Sequence, residues 1–174
     1  YYVKHSRDFD KVREVELKFT ISVEGVPVTG FIDRIDNTTN GGLGIVDYKT
    51  GKAFDKSRVR NDPQLTLYQL ACETLIGKPV ETVTLYHLNS LTALTVPAHS
   101  PKMKDDLKTT VLEAARGISD QKFEATPDER GVCKYCDYAQ ICPALNALPR
   151  AATTSPASDK AAALVDRYGK IDAR

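Results

Sequence analysis

The fold is decided by one stretch, Leu43-Gly44-Ile45-Val46-Asp47-Tyr48-Lys49-Thr50-Gly51. It begins as a short apolar run and ends in charged residues, which predicts a strand that is buried for most of its length. Side chains alternate between the two faces of a strand, so Asp47 and Lys49 share one face while Val46 and Tyr48 share the other. The sequence therefore places a carboxylate beside an ammonium group at the end of a central strand.

Two more strands are predicted upstream of this stretch. Apolar and polar residues alternate from Val15 to Val23, and a second strand-like run follows Glu24-Gly25 and extends from Val26 to Ile35. These two runs predict a hairpin. Asp33 lies near the end of its second strand, so it can approach the charged end of the central strand.

A helix is predicted downstream, with both ends marked. Asp62-Pro63 provides an N-cap and a proline at the first helical position, the helix extends from Gln64 to about Ile76, and Gly77-Lys78-Pro79 ends it. Three further elements are predicted: strands at Val80 to Leu88 and Leu91 to Val96, and an amphipathic helix from Pro101 to about Ile118. The order βββαββα predicts an α/β fold with a mixed central sheet flanked by helices.

Composition limits the class of protein. The 174 residues, 41% of them hydrophobic, can form one ordinary core, and a net charge of +1 provides no overall basic field for a nucleic acid. Any DNA site must therefore be local. No apolar run approaches the roughly 20 residues that span a bilayer. The start of the chain lacks the pattern of a signal peptide, so we expect a cytoplasmic protein.

Asp33 and Asp47 form the core of a predicted metal site. Two nearby carboxylates repel each other, and a divalent cation between them relieves the repulsion. Oxygen ligands of this kind suit Mg²⁺ or Mn²⁺. Lys49 beside such a metal could orient water and offset charge on a phosphate, which is the chemistry of metal-assisted phosphodiester hydrolysis. For an isolated Asp-x-Lys, however, surface charge at a strand end is the commoner interpretation.

Four stretches resemble, in order, the PD-(D/E)XK nuclease superfamily, in particular its RecB-like branch of helicase-nucleases and CRISPR-associated exonucleases. They are Glu16, Gly30-Phe31-Ile32-Asp33-Arg34-Ile35-Asp36, Val46-Asp47-Tyr48-Lys49-Thr50-Gly51 and Gln64-Leu65-Thr66-Leu67-Tyr68. The resemblance covers roughly residues 14 to 145 and implies a restriction-endonuclease-like core. It further implies that Asp33, Asp47 and the Tyr48 carbonyl bind the metal and that Lys49 is the catalytic lysine.

Other parts of this resemblance are weaker on their own. Gln64 and Tyr68 match a Gln-x-x-x-Tyr motif and, one helical turn apart, could hydrogen-bond the site and a nucleic-acid backbone; alternatively, they are a polar helix edge. Glu16 is interpreted only as supporting the resemblance, without a role of its own in the site. The segment after the central strand contains five basic residues and one acid, which suggests a phosphate-contacting loop or simply a soluble one. Its basic residues are Lys49, Lys52, Lys56, Arg58 and Arg60, and its acid is Asp55.

The cysteines near the C-terminus predict a second metal centre. Cys133-x-x-Cys136 followed by Cys142-Pro143 is a spacing typical of metal thiolates. It resembles the C-terminal part of the iron-sulfur motif of many RecB-like nucleases, which implies a 4Fe-4S cluster whose fourth cysteine lies upstream; Zn²⁺ is the alternative. We interpret Cys72 as a buried structural thiol.

The resemblance also implies a histidine ligand on an upstream helix. His5, His87 and His99 match no such motif, and we interpret them as ordinary polar residues. We therefore expect residues 1–148 to form an N-terminally incomplete nuclease domain, followed by a linker at 149–157 and a helical tail at 158–174.

The expected function is that of a Mg²⁺- or Mn²⁺-dependent DNA exonuclease acting on single strands or ends, coupled to a helicase in recombination or repair. A CRISPR-associated exonuclease is one alternative. A catalytically incomplete DNA-binding or scaffolding module is another.

Overall fold

The computed structural model describes residue 5, residues 9–126 and residues 131–145. The chain divides into two compact units, Tyr1–Lys122 and Phe123–Arg174. The predicted linker at 149–157 and helical tail at 158–174 lie outside the described residues. The domain boundaries drawn from the sequence therefore stay a prediction.

The described residues of the first unit form a sheet with helices around it. In chain order the strands and α-helices are β1 (Val12–Val23), β2 (Val26–Asn37), β3 (Leu43–Lys49), α1 (Lys56–Arg60), α2 (Pro63–Ile76), β4 (Val80–His87), β5 (Thr92–Pro97) and α3 (Pro101–Ser119). A short 3-10 helix, Phe9–Lys11, precedes β1. The α/β class predicted from the sequence is confirmed, and α1 is the α-helix that the sequence pattern did not indicate.

The five strands lie in the order β1-β2-β3-β4-β5. Neighbouring strands are antiparallel except for β3 and β4, which are parallel. A parallel pair needs a crossover connection, and residues 50–79 supply it. That crossover contains α1 and α2, so the segment that permits the parallel pairing also brings α2 over the sheet beside the end of β3.

Helix α2 begins and ends where the sequence predicts. The Asp62 side chain accepts hydrogen bonds from the backbone N–H groups of Gln64 at 2.9 Å and Leu65 at 3.3 Å, and Pro63 occupies the first helical position. Gly77 ends the helix in the left-handed region, with φ of 70°. The cap at Asp62 fixes where Gln64, the next residue but one, projects.

One core holds α2 against the sheet. Fully buried apolar side chains from β2, β3, α2 and β4 form it, among them Ile35, Ile45, Leu65 and Leu85. Burying a side chain of this size stabilises the fold by about 1.5–3 kcal/mol. Cys72 belongs to the same core, and burial raises the pKa of its thiol to about 12, with a further contribution from Glu73. The interpretation of Cys72 as a buried structural thiol is confirmed.

The alternation of side chains breaks inside β2. Ile32 and Ile35 are both fully buried in the same core, although residues three apart point to opposite faces of a regular strand. The register passes from Val15 opposite Arg34 to Leu17 opposite Ile32, and the intervening residues, Glu16 and Asp33, are absent from the ladder. Glu16 has φ of 49°, a left-handed value that is unusual for a residue other than glycine. Both strands therefore change phase at this point.

Helix α3 packs on α2. It begins after Ser100, whose side chain accepts a hydrogen bond from the Met103 N–H, and its Leu107 is buried. Lys104 on α3 forms an ion pair with Glu73 on α2. Within the described parts of the chain, no helix combines the length and the apolar character needed to cross a membrane.

The described part of the second unit is short. It contains a 3-10 helix, Val132–Tyr135, followed by turns that reach residue 145. Cys133 lies in the 3-10 helix, Cys136 directly follows it and is exposed, and Cys142 is partly buried.

Candidate active site

The two faces of the sheet differ in their charges. We call the face covered by α2 the site face; Ile45, Asp47 and Leu85 lie on it. We call the other face of the sheet the opposite face. Val46 and Tyr86 line a recess on this face, and Tyr48 pairs with Tyr86. The predicted catalytic side chains belong to the site face, as the alternation of β3 requires.

Asp33 reaches the end of β3 through the break in β2. Its Oδ2 accepts a hydrogen bond of 2.8 Å from the Tyr48 backbone N–H. This bond holds the Asp33 carboxylate beside the residue that separates Asp47 from Lys49. The change of strand phase at Glu16 and Asp33 thus serves to place Asp33 at the site.

Asp47 is a buried acid with incomplete partners. It is 2% exposed, and its Oδ2 is fully buried. The Lys49 ammonium lies 2.7 Å from that oxygen as an ion pair. Burial raises the pKa of Asp47, Lys49 opposes the rise, and the charges of Asp33 and Asp62 add to it. Asp33 and Asp62 are therefore close enough to repel Asp47.

A chain of hydrogen bonds connects Lys49 to α2. The Lys49 ammonium donates to Gln64 Oε1 at 2.8 Å, and Gln64 Nε2 donates to the Tyr68 hydroxyl at 2.6 Å. Burial raises the pKa of Tyr68, Gln64 opposes the rise, and the Asp47, Asp33 and Asp62 charges add to it. Tyr68 therefore keeps its proton and can donate it to an acceptor such as a phosphate oxygen.

The carboxylates fit a hard divalent cation. Mg²⁺ in proteins is commonly held by one or two carboxylates, with water completing its octahedron. Asp33 and Asp47 supply two, and a cation would compensate the buried Oδ2 of Asp47 and the repulsion between the two groups. In the part of the chain that the structure describes, no group of three or more His, Cys, Asp or Glu side chains is arranged to hold a metal ion.

The predicted site residues are thus brought together from three elements. Asp33 comes from β2, Asp47 and Lys49 from β3, and Gln64 and Tyr68 from α2. Their catalytic and metal-binding roles, and that of the Tyr48 carbonyl, stay predictions. Glu16 is exposed beside this group, and its unusual feature is its backbone.

The buried charged side chains on the opposite face, Arg34 and Asp36, are paired with each other. The Arg34 guanidinium donates to both oxygens of Asp36, at 2.6 Å and 3.0 Å, and to the Tyr48 hydroxyl at 3.4 Å. Burial lowers the pKa of Arg34, but the bonds to Asp36 and Tyr48 outweigh that effect and raise it. A recess of about 450 Å³ lies on this face, and there His5 Nε2 lies 2.7 Å from the Tyr86 hydroxyl.

Sequence reasoning missed two buried histidines. His99 Nε2 lies 2.9 Å from the Val59 carbonyl and Nδ1 lies 2.7 Å from the Thr66 hydroxyl, so His99 joins α1 to α2. His87 Nε2 lies 3.0 Å from the Gly51 carbonyl, which anchors the loop after β3. Both are polar residues, as predicted, but the sequence did not indicate that they are buried. The signal available in the sequence was the position of each histidine at or just after the end of a predicted strand.

The three cysteines of the predicted metal centre do not converge in the structure as described. Cys133, Cys136 and Cys142 are within the described residues, yet they form no group suited to a metal ion there. The cysteine side chains in these positions do not fit a 4Fe-4S cluster or Zn²⁺.

Most of this chain matches the model of a known protein family. The family model of the PD-(D/E)XK nuclease superfamily matches residues 2–143. The chain belongs to the PD-(D/E)XK nuclease superfamily. Asp47-Tyr48-Lys49 and Asp33 are the residues that the sequence predicts for the acid-x-lysine part and the preceding acid of that superfamily's naming pattern.

Several proteins are similar to this superfamily member. Gene 69 protein of Mycobacterium phage D29 is 30% identical over 142 residues, which cover 77% of this chain and 49% of that protein. The chain spans about half the length of the phage relatives it matches. A subunit of the ATP-dependent helicase/deoxyribonuclease of Streptococcus mutans is 48% identical over 48 residues, 26% of this chain and 4% of that protein. A crystal structure from Eubacterium rectale named "Putative exonuclease" is 14% identical with a TM-score of 0.48, covering 82% of this chain and 54% of its own.

Proposed function

We propose that this chain is the nuclease part of a metal-dependent DNA exonuclease that hydrolyses phosphodiester bonds and works with a helicase in recombination or repair. The observation that supports it most is the buried Asp47 Oδ2, whose partner at 2.7 Å, the Lys49 ammonium, is shared with Gln64. Burying a carboxylate lowers stability, which suggests that the group is retained for a use. Membership of a nuclease superfamily gives it one.

Asp33 and Asp47 would hold Mg²⁺ or Mn²⁺, with the Tyr48 carbonyl as a further ligand. When bound, the cation polarises a phosphate oxygen and lowers the pKa of a coordinated water. The hydrogen bond from the Tyr48 N–H fixes Asp33 and leaves its other oxygen for the cation. This arrangement needs no large rearrangement of β2 or β3.

Lys49 would stabilise the charge that develops on the phosphate. Gln64 Oε1 and Asp47 Oδ2 hold its ammonium from two sides, so its position is set before the substrate arrives. The hydroxyl of Tyr68, kept protonated by burial, would donate to a second phosphate oxygen. Gln64 connects these two donors and positions both of them.

The short similarity to the helicase/deoxyribonuclease of Streptococcus mutans supports the choice of DNA and of a helicase partner. A 4Fe-4S cluster on Cys133, Cys136 and Cys142, with an upstream fourth cysteine, stays part of the proposal; the three thiols would have to move together to bind it. Iron and sulfide analysis of the longest form of the protein, prepared without oxygen, tests this part. Stoichiometric zinc without sulfide would select the alternative metal.

The central experiment measures degradation of single-stranded and duplex DNA with Mn²⁺ by the longest available form of the protein. Lys49→Ala should lower the rate about 10²–10³-fold, because it removes a preorganised charge from the site. Lys102→Ala is the matched control, since Lys102 is a solvent-exposed lysine on α3 paired with Asp106. Absence of activity with any divalent cation, while DNA binding persists, would replace this proposal with a DNA-binding or scaffolding module.

A further inference from the structure

A groove begins at Lys49 and extends away from the carboxylates. Its volume is about 640 Å³, and Lys49, Lys52, Phe54, Asp55 and Arg58 are among the residues that line it. We call it the cationic groove. Three of these side chains are cations, and the one acid, Asp55, caps α1 by accepting a hydrogen bond of 3.1 Å from the Arg58 N–H. Two of the cations also face acids outside the groove, because Lys49 pairs with Asp47 at 2.7 Å and Arg58 Nε lies 3.9 Å from Asp62. The groove therefore places three cations next to the candidate active site.

Phe54 separates this groove from a second, smaller recess. That recess has a volume of about 170 Å³ and is lined by Phe54 together with His87, Ser90 and Thr92. The Phe54 and His87 rings pack edge to face, with centroids 5.6 Å apart and an interplanar angle of 84°. The aromatic ring of Phe54 thus lines both the cationic groove and the smaller recess.

The loop that carries these residues is fixed in place. His87 bonds the Gly51 carbonyl at 3.0 Å, and the Leu88 N–H donates to the Lys49 carbonyl at 2.9 Å. Phe54 packs against the core, and Asp55 caps α1. A surface held at its start, middle and end needs little ordering when it binds a ligand.

We propose that the cationic groove binds single-stranded DNA next to the scissile phosphate, with Lys52 and Arg58 contacting backbone phosphates and Phe54 stacking on an unpaired base. This inference rests on the proposed function. Single-strand sites combine a positive groove that follows the backbone with aromatic side chains on which bases stack. Bases within a duplex are covered by their neighbours, so an aromatic platform selects an unpaired strand.

The structure also provides matched controls. Lys56 and Arg60 belong to the same basic segment, but they lie outside the lining of the groove. The double variants Lys52→Ala/Arg58→Ala and Lys56→Ala/Arg60→Ala remove the same charge from the same stretch of chain. Only the first should affect binding of a single strand.

The test measures binding of a fluorescent thymidine oligonucleotide by anisotropy across a salt series, with a chelator present so that the strand is not cut. Two lost phosphate contacts should reduce the slope of log affinity against log salt by about 1.4 in Lys52→Ala/Arg58→Ala. The slope should stay unchanged in Lys56→Ala/Arg60→Ala. Equal slopes in the two double variants would overturn the assignment of the groove.

Phe54 is tested by Phe54→Leu and Phe54→Tyr. Leucine retains apolar packing but has no ring, so affinity for the single strand should fall about 5- to 100-fold, whereas tyrosine should preserve it. Binding of a duplex of equal length should change little in either variant. Equal losses on single strand and duplex would overturn the stacking role. Because these assays contain no divalent cation, they can fail while metal-dependent cleavage, the test of the proposed function, still succeeds.

Discussion

The two faces of the sheet treat a buried aspartate in opposite ways. On the opposite face Asp36 receives two hydrogen bonds from the buried Arg34, whereas on the site face the buried Asp47 Oδ2 has as its partner the partly exposed Lys49 ammonium, which it shares with Gln64. Both acids are buried, at 7% and 2% exposed. Complete pairing indicates a structural role, and incomplete pairing indicates that a ligand completes the group. The comparison separates structural charge from candidate catalytic charge within one sheet.

The largest effect on stability is expected from breaking the paired face. Arg34→Met removes both hydrogen bonds to Asp36 and leaves the more distant Lys11 ammonium, at 3.8 Å, to balance its charge; it should lower the free energy of unfolding by about 3–5 kcal/mol. Denaturant unfolding measures this loss. Arg34→Met/Asp36→Leu should recover most of it, because no uncompensated charge then remains. Nuclease activity per folded molecule should fall far less than in Lys49→Ala, and a comparable fall would contradict the separation of the faces.

The next effect concerns the incompletely paired face. The raised pKa of Asp47 means that folding disfavours its ionised form, so Asp47→Asn should stabilise the metal-free protein at neutral pH. Mn²⁺ at 100 times its dissociation constant should stabilise the original chain by about 2.7 kcal/mol and the variant hardly at all. Thermal unfolding with and without Mn²⁺ checks both the stabilisation by Asp47→Asn and the stabilisation of the original chain by Mn²⁺. Equal stabilisation of the two proteins by Mn²⁺ would place the cation elsewhere.

A smaller effect is expected at His99, which is buried beneath α2 and paired. Burial lowers the pKa of His99 despite its bond to Val59, so the neutral ring contributes stability above the unfolded value of about 6.5. That contribution is lost as the pH falls from there through the lowered folded pKa. His99→Gln should cost about 1–3 kcal/mol at neutral pH and flatten the pH dependence of unfolding. If the pH dependence of the unfolding free energy stayed unchanged in His99→Gln, a group other than His99 would cause the acid sensitivity.

The smallest effect is expected where the strands change phase. Glu16→Gly removes a left-handed strain of about 1–2 kcal/mol, partly offset by the greater flexibility of glycine in the unfolded chain. The net gain in unfolding free energy should be about 0.5–1 kcal/mol. Glu16→Ala removes the same carboxylate but keeps the strain, so it should show no such gain. A gain in both variants would trace the effect to the charge of Glu16 and not to its backbone.

The sequence predicted those parts of the fold that depend on local patterns. Alternation located β1, strand-like and apolar runs located β2 and β3, and the Asp62-Pro63 and Gly77 signals located α2 because capping is a property of adjacent residues. Asp47 and Lys49 were placed on one face by strand periodicity alone. The family resemblance predicted that Gln64 could hydrogen-bond the site, but it did not name Lys49 as the partner, since nothing local connects the two residues.

Other features lay beyond local patterns. Helix α1 has five residues and one buried side chain, Val59, so it shows no apolar periodicity; its Asp55 cap and the bond from Val59 to His99 stabilise it. The phase change at Glu16 and Asp33 involves two strands at once, so neither strand's sequence reveals it. The electrostatic effect of Asp62 on Asp47 likewise depends on tertiary packing.

The crossover at residues 50–79 has a consequence for the time at which the candidate site is assembled during folding. The pairs β1–β2 and β2–β3 join neighbours in sequence, so we expect them to form early during folding, whereas β3–β4 must wait until the long crossover closes. We expect Lys49 to meet Gln64, which lies within that crossover, only when α2 packs on the sheet. A half-folded chain would therefore carry Asp47 and Lys49 on β3 without their partner on α2, and the candidate site would be complete only once the crossover has closed.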